Sequence, residues 1–283
     1  MLPILHSPSV SSLSGKIAEK VTSDFDYFVP FRQHAPSLRN ARSEIYSNHS
    51  RLTHTDGVGF FNILAFRGVF FGAPFAQSGR FRWFESLDDW KQFQAAGQEE
   101  ALKVCQKEEA YYVNKKCYGS IQRDRSLTLL PGYWEQRKSW NDMFNDSRTP
   151  TVDEVYNWLS SKVTGASKFR NIGPLTALLI CGDLIEAGII TPTPSSYELG
   201  QLIYKVGKGA KDGMQMLGLV REGVDRNNFC NAFASLDAYI ENGLGAEDKK
   251  AMGYNAVMLE HALCKIKRLT TNGFSLEAIF AEI

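Results

Sequence analysis

Apolar positions in this 283-residue chain recur mainly at helical spacing, three and four residues apart, and alternating β patterns are few. The second half of the chain is the more regular half. The first half is richer in aromatic residues and less periodic, with a strongly apolar run over 59–71. The pattern therefore predicts a mainly α fold. One helix predicted in the second half begins at Pro174 and stops by Gly188, and the others cover 195–206, 226–242 and 248–268.

Local helix-start signals refine this prediction in the first half of the chain. Ser86 can cap a helix because its side chain accepts from a free backbone N–H, and acidic residues follow in the first turn. This signal predicts a helix over 87–93, with a second one over 98–107. Thr151 and Glu154 have the spacing of a capping box, which predicts a helix from that point onward.

Length and composition suit one helical domain over 1–283, with a Ser-rich and partly irregular N-terminal arm over 1–36. The chain is 43% hydrophobic and 22% charged, which is ordinary for a globular protein with a large core. It shows neither a signal-peptide pattern nor an apolar run long enough to span a bilayer. We therefore expect a soluble cytoplasmic protein, in the host cytoplasm if the chain is viral, with no membrane partner.

Charge and cysteine usage narrow the classes of function. The net charge of +1 argues against a broad nucleic-acid-binding coat, but it is compatible with a local basic face. The five cysteines are widely spaced and odd in number, and none forms a Cys-x-x-Cys pair. The sequence therefore predicts neither a disulfide framework nor a structural metal site.

The most informative segment begins at residue 169 and reads Phe-Arg-Asn-Ile-Gly-Pro-Leu-Thr-Ala. Pro174 suits the first helical position, and Gly173 lets another group approach the backbone closely. The free N–H groups and the dipole of such a helix start favour a phosphate. Gly-Pro-Leu-Thr-Ala also has the form of the hairpin in helix-hairpin-helix DNA-binding proteins, while the alternative is an ordinary loop-to-helix junction. The predicted DNA contacts are Arg170, Asn171, Gly173 and Thr176.

Asp183 follows nine mostly apolar residues of the same predicted helix. An ionised carboxylate in such surroundings is costly unless it is hydrogen-bonded or paired. We therefore expect Asp183 to face a polar cavity, with a Lys or Arg from another segment as its partner. The alternative is a buried ion pair that holds the helices together.

A glycine-rich basic loop follows at 207–213, Gly-Lys-Gly-Ala-Lys-Asp-Gly. It lacks both the spacing and the preceding strand of a P-loop, so it does not predict a kinase or an ATPase. The ammonium groups of Lys208 and Lys211, with nearby backbone amides, are predicted to hold phosphate or pyrophosphate. The alternative is a solvated turn between helices.

The last long predicted helix carries a third group of candidate residues. Glu260 has apolar neighbours and could act as a general base, and His261 could do the same work instead. The alternative for Glu260 is a surface carboxylate with partners one helical turn away. Cys264 is interpreted as a small core residue rather than a nucleophile.

These three segments, in this order, resemble the helical domain of the thymine-hypermodification proteins. That family includes the 5-hydroxymethyluracil DNA kinases and the α-glutamyl/putrescinyl-thymine pyrophosphorylases, also called amino acid:DNA transferases. Two earlier segments, Phe-Phe-Asn-Ile-Leu-Ala-Phe-Arg over 60–67 and Arg-Phe-Arg-Trp-Phe-Glu over 80–85, resemble that family as well. The likeness runs through roughly residues 40 to 268.

The resemblance implies a transfer reaction on double-stranded DNA that carries a modified thymine. An amino acid or a polyamine displaces pyrophosphate from the 5-methylene group of uracil, and the absence of a P-loop favours this transferase branch over the kinases. Stabilising the leaving pyrophosphate needs cations, for which Arg67, Lys208 and Lys211 are the candidates. The base would be Glu260 or Asp183, and His261 is the next candidate. No cofactor is demanded, although Mg²⁺ could bridge pyrophosphate to Asp183.

Two other classes remain as alternatives. The implied helical fold distantly resembles that of helix-hairpin-helix DNA glycosylases. Bifunctional members of that class carry a Lys where this chain has Leu175, and an Asp about twenty residues beyond the hairpin, where this chain has no acid. The third class is a DNA-binding module without chemistry. We therefore expect a base-modifying transferase, with these two classes as its competitors.

Overall fold

A computed structural model describes residues 19–20, 22–23, 25–28, 34–46, 57–119, 121–144, 149–163 and 166–274. The described chain is mainly helical, which confirms the predicted fold class. Most of the predicted N-terminal arm, 1–36, lies outside the described residues. In chain order the elements are α1 (Phe25–Phe28), α2 (Pro36–Ile45), α3 (Val58–Ala65), a π-helix (Phe66–Phe70), α4 (Pro74–Gln77), α5 (Leu87–Val104), α6 (Glu108–Tyr112), 3₁₀ turns (Cys117–Gly119 and Leu127–Leu129), α7 (Leu130–Glu135), α8 (Arg137–Phe144), α9 (Val152–Ser160), β1 (Lys162–Val163), β2 (Ala166–Ser167), α10 (Pro174–Glu186), α11 (Ser196–Val206), α12 (Ala210–Met216), α13 (Arg226–Gly243), α14 (Ala246–Met252) and α15 (Ala256–Thr271).

The chain divides into two compact units. The middle unit is Pro36–Thr193, and the terminal unit combines Met1–Ala35 with Pro194–Ile283. The middle unit contains α2 to α10, and the terminal unit contains α1 and α11 to α15. The expectation of a single domain stays a prediction.

Local capping chemistry sets several helix starts as predicted. The Ser86 side chain accepts from the backbone N–H of Asp89 at 3.0 Å, and Thr151 with Glu154 forms the predicted capping box at the start of α9. A second capping box, made by Ser195 and Glu198, begins α11. Each box satisfies backbone donors that a helix start leaves without intrahelical partners.

Two predicted helix boundaries are wrong. The segment 87–93 and most of 98–107 form one continuous helix, α5, which ends at Val104. The residues between the two segments include no strong breaker, and a single interior Gly97 costs only about 1 kcal/mol. The predicted helix 248–268 is divided into α14 and α15. Gly253 ends α14 in the left-handed conformation, at φ 57°, from which a helix does not continue.

The core of the middle unit is built largely from aromatic rings around α3, all eight residues of which are buried. Phe60 stacks on Trp140 with ring centroids 4.6 Å apart. The Asn62 side chain donates to the carbonyl of Phe84 at 2.8 Å and accepts from the Phe84 N–H at 2.9 Å. Asn62 therefore holds the segment around Phe84 against α3.

The segment between α9 and α10 forms a short antiparallel pair, with Lys162 opposite Ser167 and Val163 opposite Ala166. Helices α9 and α10 pack directly on each other. Helix α9, the strand pair and helix α10 thus follow one another along the chain, and likeness to DNA glycosylases stays a prediction.

In the terminal unit, α11 packs on α13, and α12 packs on α15. The second contact is very close at Gly213, where an added Cβ would lie 2.3 Å from the carbonyl oxygen of Leu263. Only glycine allows the two helices to approach this closely. In the part of the chain that the structure describes, no helix is both long enough and apolar enough to span a bilayer.

Candidate functional site

The end of α3 widens into a π-helix, a rare geometry that occurs frequently at functional sites. This segment places the Arg67 side chain in the core, fully buried. Its Nε donates to Oδ2 of Asp183 at 2.5 Å, and its Nη2 donates to Oδ1. Two predicted site residues that are 116 positions apart in the sequence are thus paired in a bidentate ion pair. The prediction that Asp183 has an Arg or Lys partner from another segment is confirmed. The expectation that Asp183 faces a polar cavity is wrong, because its side chain is only 5% exposed and both oxygens bind a fully buried guanidinium, which is the alternative of a buried ion pair.

Side chains from three other segments bind the backbone of this π-helix. The Tyr118 hydroxyl donates to the carbonyl of Arg67 at 3.0 Å. The carbonyl of Gly68 accepts from Nε of Arg125 at 3.0 Å and from Nδ2 of Asn171 at 2.7 Å. Asn171 therefore ties the π-helix to the predicted DNA-binding turn.

Burial and charge act together on the ionisable groups around this pair. Burial by itself lowers the pKa of Arg67, but the charge of Asp183, with Tyr118 and Tyr46 nearby, raises it well above its usual value. Burial, followed by the charge of Asp183, raises the pKa of the Tyr46 phenol. Nη1 of Arg67 is buried without a hydrogen-bond partner among the described residues. The centre is therefore a buried ion pair with the Tyr46 phenol beside its carboxylate.

The surroundings of Asp183 do not fit a divalent cation. Both of its carboxylate oxygens accept from the Arg67 guanidinium, which occupies the face that a metal would need. Within the described ranges, no group of three or more His, Cys, Asp or Glu side chains lies together in a metal-binding arrangement. We therefore assign no step to Mg²⁺.

The predicted DNA-binding segment is a turn followed directly by α10. The N–H of Ile172 donates to the carbonyl of Phe169 at 2.9 Å, and Asn171 has φ 65°, as at the third position of a type II turn. Pro174 occupies the first turn of α10, and no side chain caps this helix start. The first-turn N–H groups are therefore available to a ligand.

The four predicted DNA contacts are exposed to different degrees. Arg170 is exposed, while Asn171 and Gly173 are half-buried. Thr176 is only 8% exposed, so its side chain offers little surface to DNA. The Tyr133 hydroxyl donates to the carbonyl of Arg170 at 2.7 Å, and this hydrogen bond holds the backbone of the turn.

The glycine-rich segment 207–213 is only partly a loop, because α12 begins at Ala210. Gly209 has φ 72°, and a Cβ there would lie 2.9 Å from Sγ of Cys264. Gly207 ends α11 in the left-handed conformation at φ 79°, and packing on α15 accounts for Gly209 and Gly213, so these glycines are explained without a phosphate. Lys208 is exposed and makes no ion pair among the described residues, whereas Lys211 lies over the Tyr204 ring at 4.5 Å.

Helix α15 carries a row of buried charged and polar side chains. Glu260 and His261 are each 3% exposed, with Nε2 of the histidine 3.5 Å from Oε2 of the glutamate. The alternative that Glu260 is a surface carboxylate is therefore wrong. Lys265 and Arg268 both donate to the backbone carbonyl of Tyr27, each at 2.7 Å. Segment α1 is thus held on α15 by two cations.

The predicted site residues are divided between the two units. The middle unit holds the Arg67–Asp183 pair and the turn at 169–173, and the terminal unit holds the glycine-rich segment and the Glu260–His261 pair. Sequence reasoning missed Tyr46, directly after α2, and also Tyr118 and Arg125, which lie between α6 and α7. No family model, curated protein or solved structure matches the chain.

Proposed function

We propose that this chain is a DNA base-modifying transferase. It binds the DNA backbone at the start of α10 and displaces pyrophosphate from 5-pyrophosphoryloxymethyluracil with an amine. The observation that carries the proposal is the open, uncapped start of a 13-residue helix at Gly173. Support for the reaction comes from the resemblance of three segments to the thymine-hypermodification family.

Gly173 supports DNA binding because the fold itself does not need a glycine there. Its backbone is extended, at φ −94° and ψ −176°, which any residue adopts. An added Cβ would meet no atom within 4 Å. A glycine that neither conformation nor packing requires is well suited to close approach by an external group. A phosphate is the group that a helix start favours.

In the proposed reaction the amine nitrogen attacks the 5-methylene carbon of the base. The C–N bond forms, the C–O bond to pyrophosphate breaks, and the nitrogen gives up a proton to a base. Glu260 is the proposed base, with His261 beside it. Lys208 is the first candidate to stabilise the leaving pyrophosphate, because it is exposed and makes no ion pair among the described residues.

Arg67 and Asp183 are less available to the substrate than Lys208 and Glu260, because their side chains bind each other. Two of the three guanidinium nitrogens of Arg67 are already bound to Asp183, and only Nη1 remains without a partner. Because this nitrogen is buried with the rest of the side chain, the predicted contact of Arg67 with pyrophosphate is not part of the proposal. Asp183 carries the opposite charge in the pair, so as a base it ranks behind Glu260.

DNA binding is tested with two substitutions at the same position. Gly173→Asp puts an anion where a phosphate would lie, and it also supplies a favourable N-cap side chain that stabilises α10 by a few tenths of a kcal/mol or more. Gly173→Ala is the matched control, since its Cβ enters open space. We expect Gly173→Asp to lose DNA affinity without losing thermal stability, while Gly173→Ala keeps most of the affinity.

The salt dependence of binding provides a second measurement. A modest basic face predicts that about two to four counterions are released in the wild type. If the DNA affinity of the wild type does not change with salt concentration, or if Gly173→Asp leaves the affinity unchanged, binding of the DNA backbone at α10 is contradicted.

The reaction is tested by nucleoside mass spectrometry after incubation with DNA that carries 5-pyrophosphoryloxymethyluracil and a pool of amines. A base that carries the amine in place of pyrophosphate supports transfer. Release of a free base would instead identify a glycosylase, and an unchanged base in a chain that binds DNA would identify a binding module.

A further inference from the structure

The turn over 169–172, which lies before α10 in the middle unit, is closed by a hydrogen bond from the N–H of Ile172 to the carbonyl of Phe169 at 2.9 Å. Type I and type II turns share this bond and differ in the orientation of their central peptide, which is reversed between the two types. In this turn the central peptide joins Arg170 to Asn171. Asn171 has φ 65° and Arg170 has no positive φ, so the peptide has the type II orientation.

The type II orientation is not the one that these residues favour by themselves. Type I is the commonest turn and places no residue at positive φ. Positive φ is unfavourable for any residue that carries a side chain, although asparagine tolerates it better than most. Contacts from outside the turn must therefore hold the central peptide in its present orientation.

One such contact comes from Tyr133 on α7. Its hydroxyl donates to the carbonyl of Arg170 at 2.7 Å, and this carbonyl belongs to the central peptide. Reversing the peptide to type I would point the carbonyl away and leave the buried tyrosine without its acceptor, which is costly. Burial also raises the pKa of the Tyr133 phenol, so the hydroxyl keeps the proton that it donates.

Gly68 in the π-helix makes this contact possible. An added Cβ at this position would lie 2.3 Å from the hydroxyl oxygen of Tyr133, so only glycine leaves room for it. The carbonyl of Gly68 also accepts from Nδ2 of Asn171 at 2.7 Å. Gly68 therefore contacts both of the side chains that fix the turn, Tyr133 and Asn171.

We propose that Tyr133 is a positioning residue that locks the turn over 169–172 in the type II orientation, in the space that Gly68 leaves. The C=O and N–H of a trans peptide point in opposite directions. Because the carbonyl of Arg170 binds the hydroxyl of a buried tyrosine, the N–H of Asn171 points away from that hydroxyl, and this N–H makes no hydrogen bond among the described residues. The lock therefore presents a backbone donor beside the exposed Arg170. Its effect on DNA rests on the proposed function, whereas the lock itself is measured without DNA.

The test is a double-mutant cycle that compares glycine and alanine at position 171. Both Asn171→Gly and Asn171→Ala remove the side-chain amide, but only glycine takes a positive φ without strain. With Tyr133 present, Asn171→Ala is either strained or reversed at the cost of the Tyr133 hydrogen bond. Its unfolding constant in urea should therefore exceed that of Asn171→Gly by about fivefold or more. In the Tyr133→Phe background the peptide can reverse freely, and we expect a ratio of about two or less.

Tyr112→Phe is the matched control, because it removes the hydroxyl of another buried tyrosine in the same unit. The ratio of about fivefold between Asn171→Ala and Asn171→Gly should persist in that background. A ratio that is the same with Tyr133 present as in the Tyr133→Phe background overturns the lock.

DNA affinity shows whether the lock matters for binding. Tyr133→Phe should weaken binding to double-stranded DNA by about three- to tenfold, as for one lost hydrogen bond, and Tyr112→Phe should not weaken it. An affinity that Gly173→Asp lowers and Tyr133→Phe leaves unchanged contradicts a positioning role in DNA binding and leaves backbone binding at α10 standing. An affinity that neither variant changes contradicts binding at α10, while the ratio of unfolding constants still decides the lock.

Discussion

Asp183→Asn tests how the chain tolerates the loss of its most deeply buried charge pair. The substitution keeps the size of the side chain and removes its negative charge. The Arg67 side chain, fully buried in the wild type, is then left with a positive charge that no carboxylate balances. Its Nη1 already has no hydrogen-bond partner among the described residues, so the guanidinium has little else to compensate the loss.

The magnitude follows from the burial of both partners. Removing one partner of a buried pair destabilises a protein by about 3–5 kcal/mol, because an uncompensated charge stays in the core. At 1.4 kcal/mol for each factor of ten, this raises the unfolding constant by roughly a hundredfold to a few thousandfold. The exposed pair Arg80–Glu100 is the comparison, with side chains 49% and 44% exposed. Its removal by Glu100→Gln should cost less than about 1 kcal/mol.

The assay is urea unfolding of the two variants and the wild type under the same conditions. A further variant, Arg67→Leu with Asp183→Leu, removes both charges and should be more stable than Asp183→Asn, since apolar residues of similar volume can replace a buried pair. A loss in Asp183→Asn no larger than that in Glu100→Gln would refute the reasoning. A stable Asp183→Asn without transfer activity would instead indicate a role in the reaction.

Three further predictions concern packing, ionisation and the proposed base. Gly213→Ala should lower the free energy of unfolding by about 1–3 kcal/mol, because its Cβ would lie 2.3 Å from the carbonyl oxygen of Leu263. The Cβ of Gly243→Ala meets nothing within 4 Å, so this variant should raise the free energy of unfolding by about 0.5 kcal/mol in the same urea assay. Burial raises the pKa of Tyr112 to about 12, so the stability that its neutral phenol contributes below pH 10 is lost as the pH rises through 12. Alkaline unfolding of Tyr112→Phe, followed beside the wild type, should show a smaller loss, and identical profiles would contradict this. Glu260→Gln should lower kcat for transfer by about a hundredfold while DNA binding persists, and a wild-type rate in single turnovers would show that the base is another residue.

Much of the secondary structure could be predicted from the sequence because it depends on chemistry within a few residues. The capping box of Thr151 and Glu154 uses side chains three positions apart, and it starts α9 in the structure as predicted. Pro174 begins α10 because its ring suits the first helical turn. Boundaries were predicted less well where one glycine decided between continuing and ending a helix. Gly97 lies inside α5, and Gly253 ends α14.

The sequence by itself determined a mainly helical chain, and it singled out Arg67, Asp183 and Glu260. It also predicted that Asp183 would have a cationic partner. Only the tertiary structure decided that Arg67 is this partner and that Glu260 is buried. It also showed that Gly213 serves a close helix contact and that Gly68 leaves room for the Tyr133 hydroxyl. These features join residues far apart in the sequence, and such contacts depend on how the helices pack rather than on any local pattern.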